Sequence, residues 1–469
     1  MRRTGRRGAT RRGIIMHAMR HESGLLTDLY ELTMAAGYFQ TGLRSRGTFE
    51  LFARHLPEAR NFLVVAGIEQ ALDYLETIRF TREEIGYLRR HPAFRNVSRK
   101  FFDYLARFRF SGDVWAMPEG TLAFAGEPLL RVEAPMAEAQ LVETYLLAAV
   151  HFQTLIASKA ARVVLAARGR PVIEFGSRRA HGVEAGVLAA RAAWIAGCNG
   201  TSNAYAGNAY GIPTFGTQAH SWIMAHASEE EAFAKFLDVF PQASTLLVDT
   251  YDTRRAIERI AAMKRKPAGL RLDSGNLAAD SLWARRRLKR AGWNDVQIFA
   301  SGDLDERKID ALLRAGAEVD GFGVGTAMVT SPDAPSIGVV YKLVEVKRDG
   351  RAVHVAKFSP EKATHPGPKQ VFRFHDRSGQ FARDQIALAD ERPRGGEPLL
   401  VPALRKGRRI RPAELLEEAR ARCRKQLLLL PDRYQRIDKR IEFPVSYSPR
   451  LERMFERMRR AALRGGAVK

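Results

Sequence analysis

The sequence predicts an α/β protein: an irregular parallel β/α barrel with a second α+β domain, built from the N-terminal segment and the hairpins after the barrel. Three observations predict it. From Pro171 onward six short apolar strands, PVIEFG, IPTFGT, TLLVDTYD, GLRLDSG, QIFASGD and VDGFGVG, each end in a polar loop containing Gly or Asp. They start at Pro171, Ile212, Thr245, Gly269, Gln297 and Val319, intervals of 22 to 41 residues, which leaves room for a crossover helix each time. None of them opens with a nucleotide-fold signature at the first turn, which favours a barrel over an open sheet. Six strands are legible; a complete eight is not demonstrated.

In chain order, residues 1–24 read as a basic arm without patterned structure. Residues 1–20 hold seven Arg and no acid, and they lack the apolar stretch of a secretory signal. A transit peptide, a disordered arm and an over-extended start, with Met16 or Met19 as the first residue, all fit; the latter two are favoured. Residues 25–145 form the N-terminal α+β domain, with helical patterns in LLTDLYELTMAAGYF, FLVVAGIEQALDYLETI and EEIGYLRR, then a strand-like VWAMPEGTLAFAGEPLLRVEAP. The barrel domain, 146–334, opens on a long helical stretch that leads into the six strands. Residues 335–400 carry hairpins with Asp-Gly and Ser-Gly turns, expected to return to the N-terminal domain. Residues 401–469 are a basic, largely helical tail.

Of the net charge of +24, the first twenty residues supply +7 and residues 401–469, with twenty Lys/Arg against eight Asp/Glu, supply +12. The 380 residues between carry only +5. Basicity therefore belongs to the ends, and nucleic acid is expected to bind weakly there if at all. No apolar run approaches the roughly 18 residues that a membrane helix needs. Two cysteines, Cys198 and Cys423, make neither a disulfide framework nor a structural zinc site, which fits a reducing, cytoplasmic setting.

Polar residues gather at the C-terminal ends of the strands, the edge where parallel barrels carry their active sites. They are Phe175 to Arg179, Thr217 to Ser221, Asp249 to Asp252, Asp273 to Gly275, Ser301 to Asp303 and Gly323 to Thr326. Six such loops in phase argue for one convergent pocket. GFGVGT follows a strand and precedes a helical pattern, so its backbone N–H groups either cradle a phosphate or close a tight turn. Arg271 and Asp273, two apart on a strand, share a face as either a structural ion pair or a pocket pair. Arg178 and Arg179 are either anion ligands or solvated loop charges. His220, in GTQAHSW, is either a reactive imidazole or a histidine at a helix start. GxxxxGK[ST], HExxH and paired CxxC are absent, so ATP use of the P-loop type and a tightly held transition metal are not expected.

Taken together and in order, these segments resemble the nicotinate phosphoribosyltransferase family. The resemblance is carried by LLTDLYELTMAAGY (25–38), FELFARHLP (49–57), EFGSRRAHG (174–182), GCNGTSNAYAG (197–207), GIPTFGTQAHS (211–221), LLVDTYDT (246–253), GLRLDSGNL (269–277), ASGDLDE (300–306), GFGVGT (321–326), YKLVEV (341–346) and KFSPEKATHPGPKQVFR (357–373). It implies transfer of phosphoribose from 5-phosphoribosyl 1-pyrophosphate to nicotinate in NAD salvage, with Mg²⁺ and with ATP as co-substrate. It also implies a homodimer with shared active sites. On this resemblance Gly302, Gly323, Gly325 and Thr326 bind the 5-phosphate, and Asp273 and Asp303 face the ribose hydroxyls or the metal. Arg178 and Arg271 face the nicotinate carboxylate or phosphates. Phe175 and, from a neighbouring subunit, Tyr30 stack on the pyridine ring. His220 is the transiently phosphorylated residue, with Asp249 or Asp252 orienting its ring.

Ser202 stands where nicotinamide-using relatives carry an aspartate, which suits a carboxylate substrate. Asn276 departs from the aspartate of many members and leaves that position's ligand role open. No cysteine cluster of the kind seen at some relatives' C-termini occurs, so no zinc is expected. The competing readings are a nicotinamide or quinolinate phosphoribosyltransferase, and a nucleic-acid-binding protein that keeps a dead enzyme core.

Overall fold

The computed structural model describes residues 21–464 apart from 59, 349, 360 and 361. The basic arm expected over 1–24 therefore lies, except for its last four residues, outside the described residues. Six parallel strands form the central sheet: Val172–Glu174, Gly200–Thr201, Thr245–Leu247, Gly269–Leu272, Gln297–Ala300 and Gly321–Val324. Their hydrogen-bonded order is chain order carried round a ring, because the first strand pairs directly with the last, Val172 opposite Phe322 and Ile173 opposite Gly323. That closure makes the sheet barrel-like.

One expected strand is corrected. The segment at Ile212 forms a single bridge, Thr214 to Thr201, and the strand in the sheet is the two-residue Gly200–Thr201. Thr201 N donates to Pro213 O at 3.0 Å and Phe215 N to Thr201 O at 2.9 Å. Pro213 has no N–H to carry the ladder further. Among the described residues no strand ladder joins this segment to Thr245–Leu247, so the ring has a gap there.

The helices between strands begin where the sequence supplies a cap. Asn203, Ser228, Asp252, Asn276 and Asp305 each accept a backbone N–H three residues on, at 2.8 to 3.1 Å. Each cap fixes where a loop ends, and so how far the loop projects over the barrel mouth.

A second core belongs to a seven-stranded sheet. Its order is Arg351–His354, Val339–Arg348, Arg46–Ala53, Pro128–Pro135, Asp113–Ala116, Val401–Arg405, Arg408–Arg409. Chain that follows the barrel thus flanks the N-terminal strands on both sides. A four-stranded sheet consists of Glu397–Pro398, Lys369–His375, Phe381–Leu388 and Val445–Tyr447, in that order. The 24-residue helix Glu143–Ala166 joins the two cores: Leu146 and Val150 pack in the N-terminal one, Leu155, Ile156 and Val163 in the barrel one. At 1.5 Å per residue it is about 36 Å long, enough to reach both. Among the described residues no helix is long and apolar enough to cross a membrane.

Candidate active site

The polar strand ends converge on one cavity of about 540 Å³. Phe175, Arg178 and Arg179 come from the first loop, Ser202 from the second, and Phe215 to His220 from the segment beside the gap. Arg271, Asp273, Ser301, Gly302, Asp303, Gly323, Gly325 and Thr326 complete it from the last three strands. Eleven of the twelve expected site residues line this space. The exception is Tyr30, on the helix Leu29–Gln40, 48% exposed and absent from the cavity of its own chain. Its neighbour Glu31 anchors that helix: Thr144 donates its hydroxyl to Glu31 Oε1 at 2.8 Å, and Thr27 also donates to Glu31.

Arg271 clamps three loops together. Its Nε donates to Ser301 Oγ at 2.8 Å, one terminal nitrogen to Thr217 Oγ1 at 3.0 Å, and the other to Asp273 Oδ1 at 2.5 Å. Three of its five N–H groups are therefore engaged within the protein, and its guanidinium carbon stands 5.5 Å from the Phe175 ring centre. Burial pushes the Asp273 carboxyl up, but the Ser301 hydroxyl, Arg271 and His220 outweigh it and hold the group below its ordinary value. Arg178 and Arg179 are exposed and have no ion-pair partner among the described residues. They give the cavity a cationic wall.

Two glycines are required by close approach. Gly302 has φ +94, and a Cβ there would lie 1.8 Å from the Asp273 carbonyl oxygen. A Cβ on Gly323 would lie 2.4 Å from the Phe175 ring. Backbone N–H groups of this loop can thus approach a ligand that a side chain would hold off.

His220 is the first residue of the short helix His220–Met224, whose cap position is Ala219. Its Nδ1 lies 3.1 Å from Thr250 Oγ1, which leaves Nε2 without a hydrogen-bond partner among the described residues. This corrects the expectation that Asp249 or Asp252 orients the ring. Asp252 is spent capping the helix Thr253–Ala262, and Asp249 Oδ2 accepts the Ser274 hydroxyl at 2.6 Å. Asn276 caps the helix Leu277–Arg290 through Ala279 N at 3.1 Å, a task that Asp or Asn performs equally.

Sequence reasoning missed three residues. Glu174, fully buried, accepts the Thr201 hydroxyl at 2.5 Å and the Gly176 backbone N–H, which ties the first loop to the second. Burial raises its pKa, and these two donors partly offset the rise. Its place inside a barrel strand was the available signal. Gln218, 5% exposed, lines the cavity with both amide atoms buried and without a hydrogen-bond partner among the described residues. Thr250 sits between Asp249 and Asp252, whose carboxylates are the more obvious partners for an imidazole.

Residues 25–151 match the nicotinate phosphoribosyltransferase (NAPRTase) N-terminal domain, residues 171–380 the nicotinate phosphoribosyltransferase (NAPRTase) family, and residues 393–455 the nicotinate phosphoribosyltransferase C-terminal domain. Nicotinate phosphoribosyltransferase pncB2 of Mycobacterium tuberculosis is 45% identical over 95% of this chain and 96% of its own. The nicotinate phosphoribosyltransferase of Bacillus subtilis is 42% identical over 78% of this chain and 76% of its own. Among solved structures, human nicotinic acid phosphoribosyltransferase superposes with a TM-score of 0.81 at 28% identity, covering 92% of this chain and 99% of that one.

Proposed function

The chain belongs to the nicotinate phosphoribosyltransferase family, and from that premise we propose that it makes nicotinate mononucleotide from nicotinate and 5-phosphoribosyl 1-pyrophosphate, coupled to ATP. The pyridine nitrogen bonds to C1 of the ribose as the C1–O bond to pyrophosphate breaks, and pyrophosphate leaves with the bond's electrons. Positive charge develops on the ribose and negative charge on the leaving group, so the site needs carboxylate near the ribose and fixed cations and donors around the pyrophosphate.

The backbone of Gly302, Gly323 and Gly325, with Thr326, receives the 5-phosphate. Asp273 and Asp303 face the ribose hydroxyls. Asp273 stays ionised because Arg271 and Ser301 hold it so, and Asp273 and Asp303 are the hard oxygen donors that would hold Mg²⁺, which neutralises pyrophosphate charge when bound. Arg178 takes the nicotinate carboxylate, and Ser202 leaves that carboxylate unopposed by a negative charge. Phe175 stacks on the pyridine ring from one side.

His220 accepts a phosphoryl group. With Nδ1 held by Thr250, the lone pair on Nε2 attacks the γ-phosphorus of ATP, ADP leaves, and water later cleaves the N–P bond. Imidazole suits the step because its ring nitrogen is nucleophilic and its phosphoramidate is labile enough to turn over.

The working form is a homodimer in the cytoplasm. Leu29, Tyr30 and Met34 are exposed on one helix, and Tyr205, Phe215, Met224 and Tyr251 on the segments after the barrel strands. Such apolar exposure supports mutual burial, with Tyr30 of the partner subunit closing the pyridine site.

The observation that carries the reading is the meeting of eleven expected residues in one cavity, with His220 Nε2 free of hydrogen-bond partners among the described residues. Competition among nicotinate, nicotinamide and quinolinate tests it: nicotinate should be consumed first, and a preference for either of the others would replace it with the corresponding enzyme.

A further inference from the structure

His220, Asp249 and Asp273 each offer one ligand atom, and these atoms lie within 4.8 Å of one another. Each residue is also braced from behind. Thr250 Oγ1 meets His220 Nδ1 at 3.1 Å, Ser274 donates to Asp249 Oδ2 at 2.6 Å, and Arg271 and Ser301 both donate to Asp273 Oδ1 at 2.5 Å. Among the described residues His220 Nε2, Asp249 Oδ1 and Asp273 Oδ2 are left without hydrogen-bond partners, and Asp249 Oδ1 is buried. Outer hydrogen bonds that fix one atom of a ligand residue and leave the other free are how protein metal sites orient their ligands.

A second observation points to a ligand at the same place. Gln218, two residues from His220 and 5% exposed, lines the cavity that His220 and Asp273 also line, and both its amide atoms are buried and without a hydrogen-bond partner among the described residues. A buried amide with neither donor nor acceptor met calls for a polar species beside it, such as water held on an ion.

We propose that His220, Asp249 and Asp273 form an inhibitory site for a divalent transition-metal ion of the zinc type, which competes with ATP for the imidazole nitrogen. The proposal rests on the reading of His220 as phosphoryl acceptor. One imidazole and two carboxylates are a donor set for zinc, with the fourth position open to water, whereas Mg²⁺ prefers oxygen ligands and keeps most of its own water. An ion at Nε2 uses the lone pair that would attack the γ-phosphorus, so a metal-loaded histidine cannot be phosphorylated. Asp273 would at the same time be withdrawn from ribose and magnesium.

The test begins with equilibrium dialysis of the full-length, substrate-free protein against zinc chloride with millimolar Mg²⁺ present, bound metal being read by elemental mass spectrometry. Wild type should retain a single zinc, and Asp249→Asn and His220→Gln should each bind roughly tenfold or more weakly. Zinc should also slow labelling of the enzyme from γ-labelled ATP, competitively with ATP. Absence of bound zinc, binding by either variant as tight as that of wild type, or complete displacement by Mg²⁺ would overturn the proposal. Zinc binding is read without ATP, so it stands apart from the phosphoryl reading. If zinc binds through His220 while no label ever reaches that residue, the metal site stands and its competition with ATP falls.

Discussion

Thr250 Oγ1 stands 3.1 Å from His220 Nδ1, and this contact spans the gap in the barrel ring between the Thr214 bridge and the strand Thr245–Leu247. The histidine is thus oriented across the place where, among the described residues, strand hydrogen bonding round the ring stops, and its Nε2 is left for chemistry. Thr250→Val keeps the shape and removes the hydroxyl. A net hydrogen bond of about 0.5–1.5 kcal/mol corresponds to a fall of roughly twofold to tenfold in the rate of enzyme phosphorylation, measured as label incorporated from γ-labelled ATP. An unchanged rate would mean that something other than Thr250 sets the ring.

His220→Ala should abolish that label altogether. ATP should then no longer raise the yield of nicotinate mononucleotide, while the ATP-independent reaction persists. Product yield with and without ATP checks it, and a variant that still responds fully to ATP would refute the phosphohistidine.

At Gly302 the expected effect is steric. Alanine would carry a Cβ 1.8 Å from the Asp273 carbonyl oxygen at a φ of +94, so either the loop moves or Asp273 does. The strain is about 1–3 kcal/mol. We expect a lowered Tm and a raised KM for 5-phosphoribosyl 1-pyrophosphate, with a smaller change in KM for nicotinate. Thermal unfolding and steady-state kinetics separate the two.

Ser202→Asp should reverse the charge preference of the pyridine site. A carboxylate placed at about 4 Å from that of nicotinate costs a few kcal/mol at an effective dielectric of about 20, so KM for nicotinate should rise roughly tenfold or more. Nicotinamide should be affected far less. Equal losses with both substrates would place Ser202 outside the pyridine site.

Glu31 carries a pH signature. Burial raises its carboxyl to about 7, although hydrogen bonds from Thr27 and Thr144 work against the rise. A raised carboxyl binds its proton more tightly when folded, so this group favours the folded state as pH falls from about 7 towards its unfolded value near 4.5, and costs stability above that window. The swing is at most about 3 kcal/mol. Glu31→Gln should therefore gain Tm relative to wild type at pH 8 and show a smaller gain, or none, at pH 5. Equal differences at the two pH values would contradict the shift.

Much of this site was legible because barrel strands are short, apolar and end abruptly in polar residues, so Arg271, Asp273, Gly302 and Gly323 stand out in the sequence. The Ile212 strand was overread because Ile-Pro-Thr-Phe is apolar enough for a strand, yet Pro213 cannot donate to a ladder. Gly200–Thr201, its true neighbour in the sheet, is two residues long and has no pattern to show. The contact of Thr250 with the imidazole is hidden in the sequence, where Asp249 and Asp252 look better suited; in the fold Asp252 caps a helix and Asp249 accepts the Ser274 hydroxyl. Glu174 acts on partners 2 and 27 residues away, a relation that periodicity does not reveal. Tyr30 does not line the cavity of its own chain, so the stacking expected of it rests on the proposed dimer.

The most direct test of the central claim is the identity of the product. Purified protein should be incubated with nicotinate, 5-phosphoribosyl 1-pyrophosphate and Mg²⁺, with and without ATP, and the products read by mass. The account predicts nicotinate mononucleotide and pyrophosphate in equal amounts, with a higher yield and formation of ADP when ATP is present. No mononucleotide under either condition, or a mononucleotide formed in preference from nicotinamide or quinolinate, would contradict it.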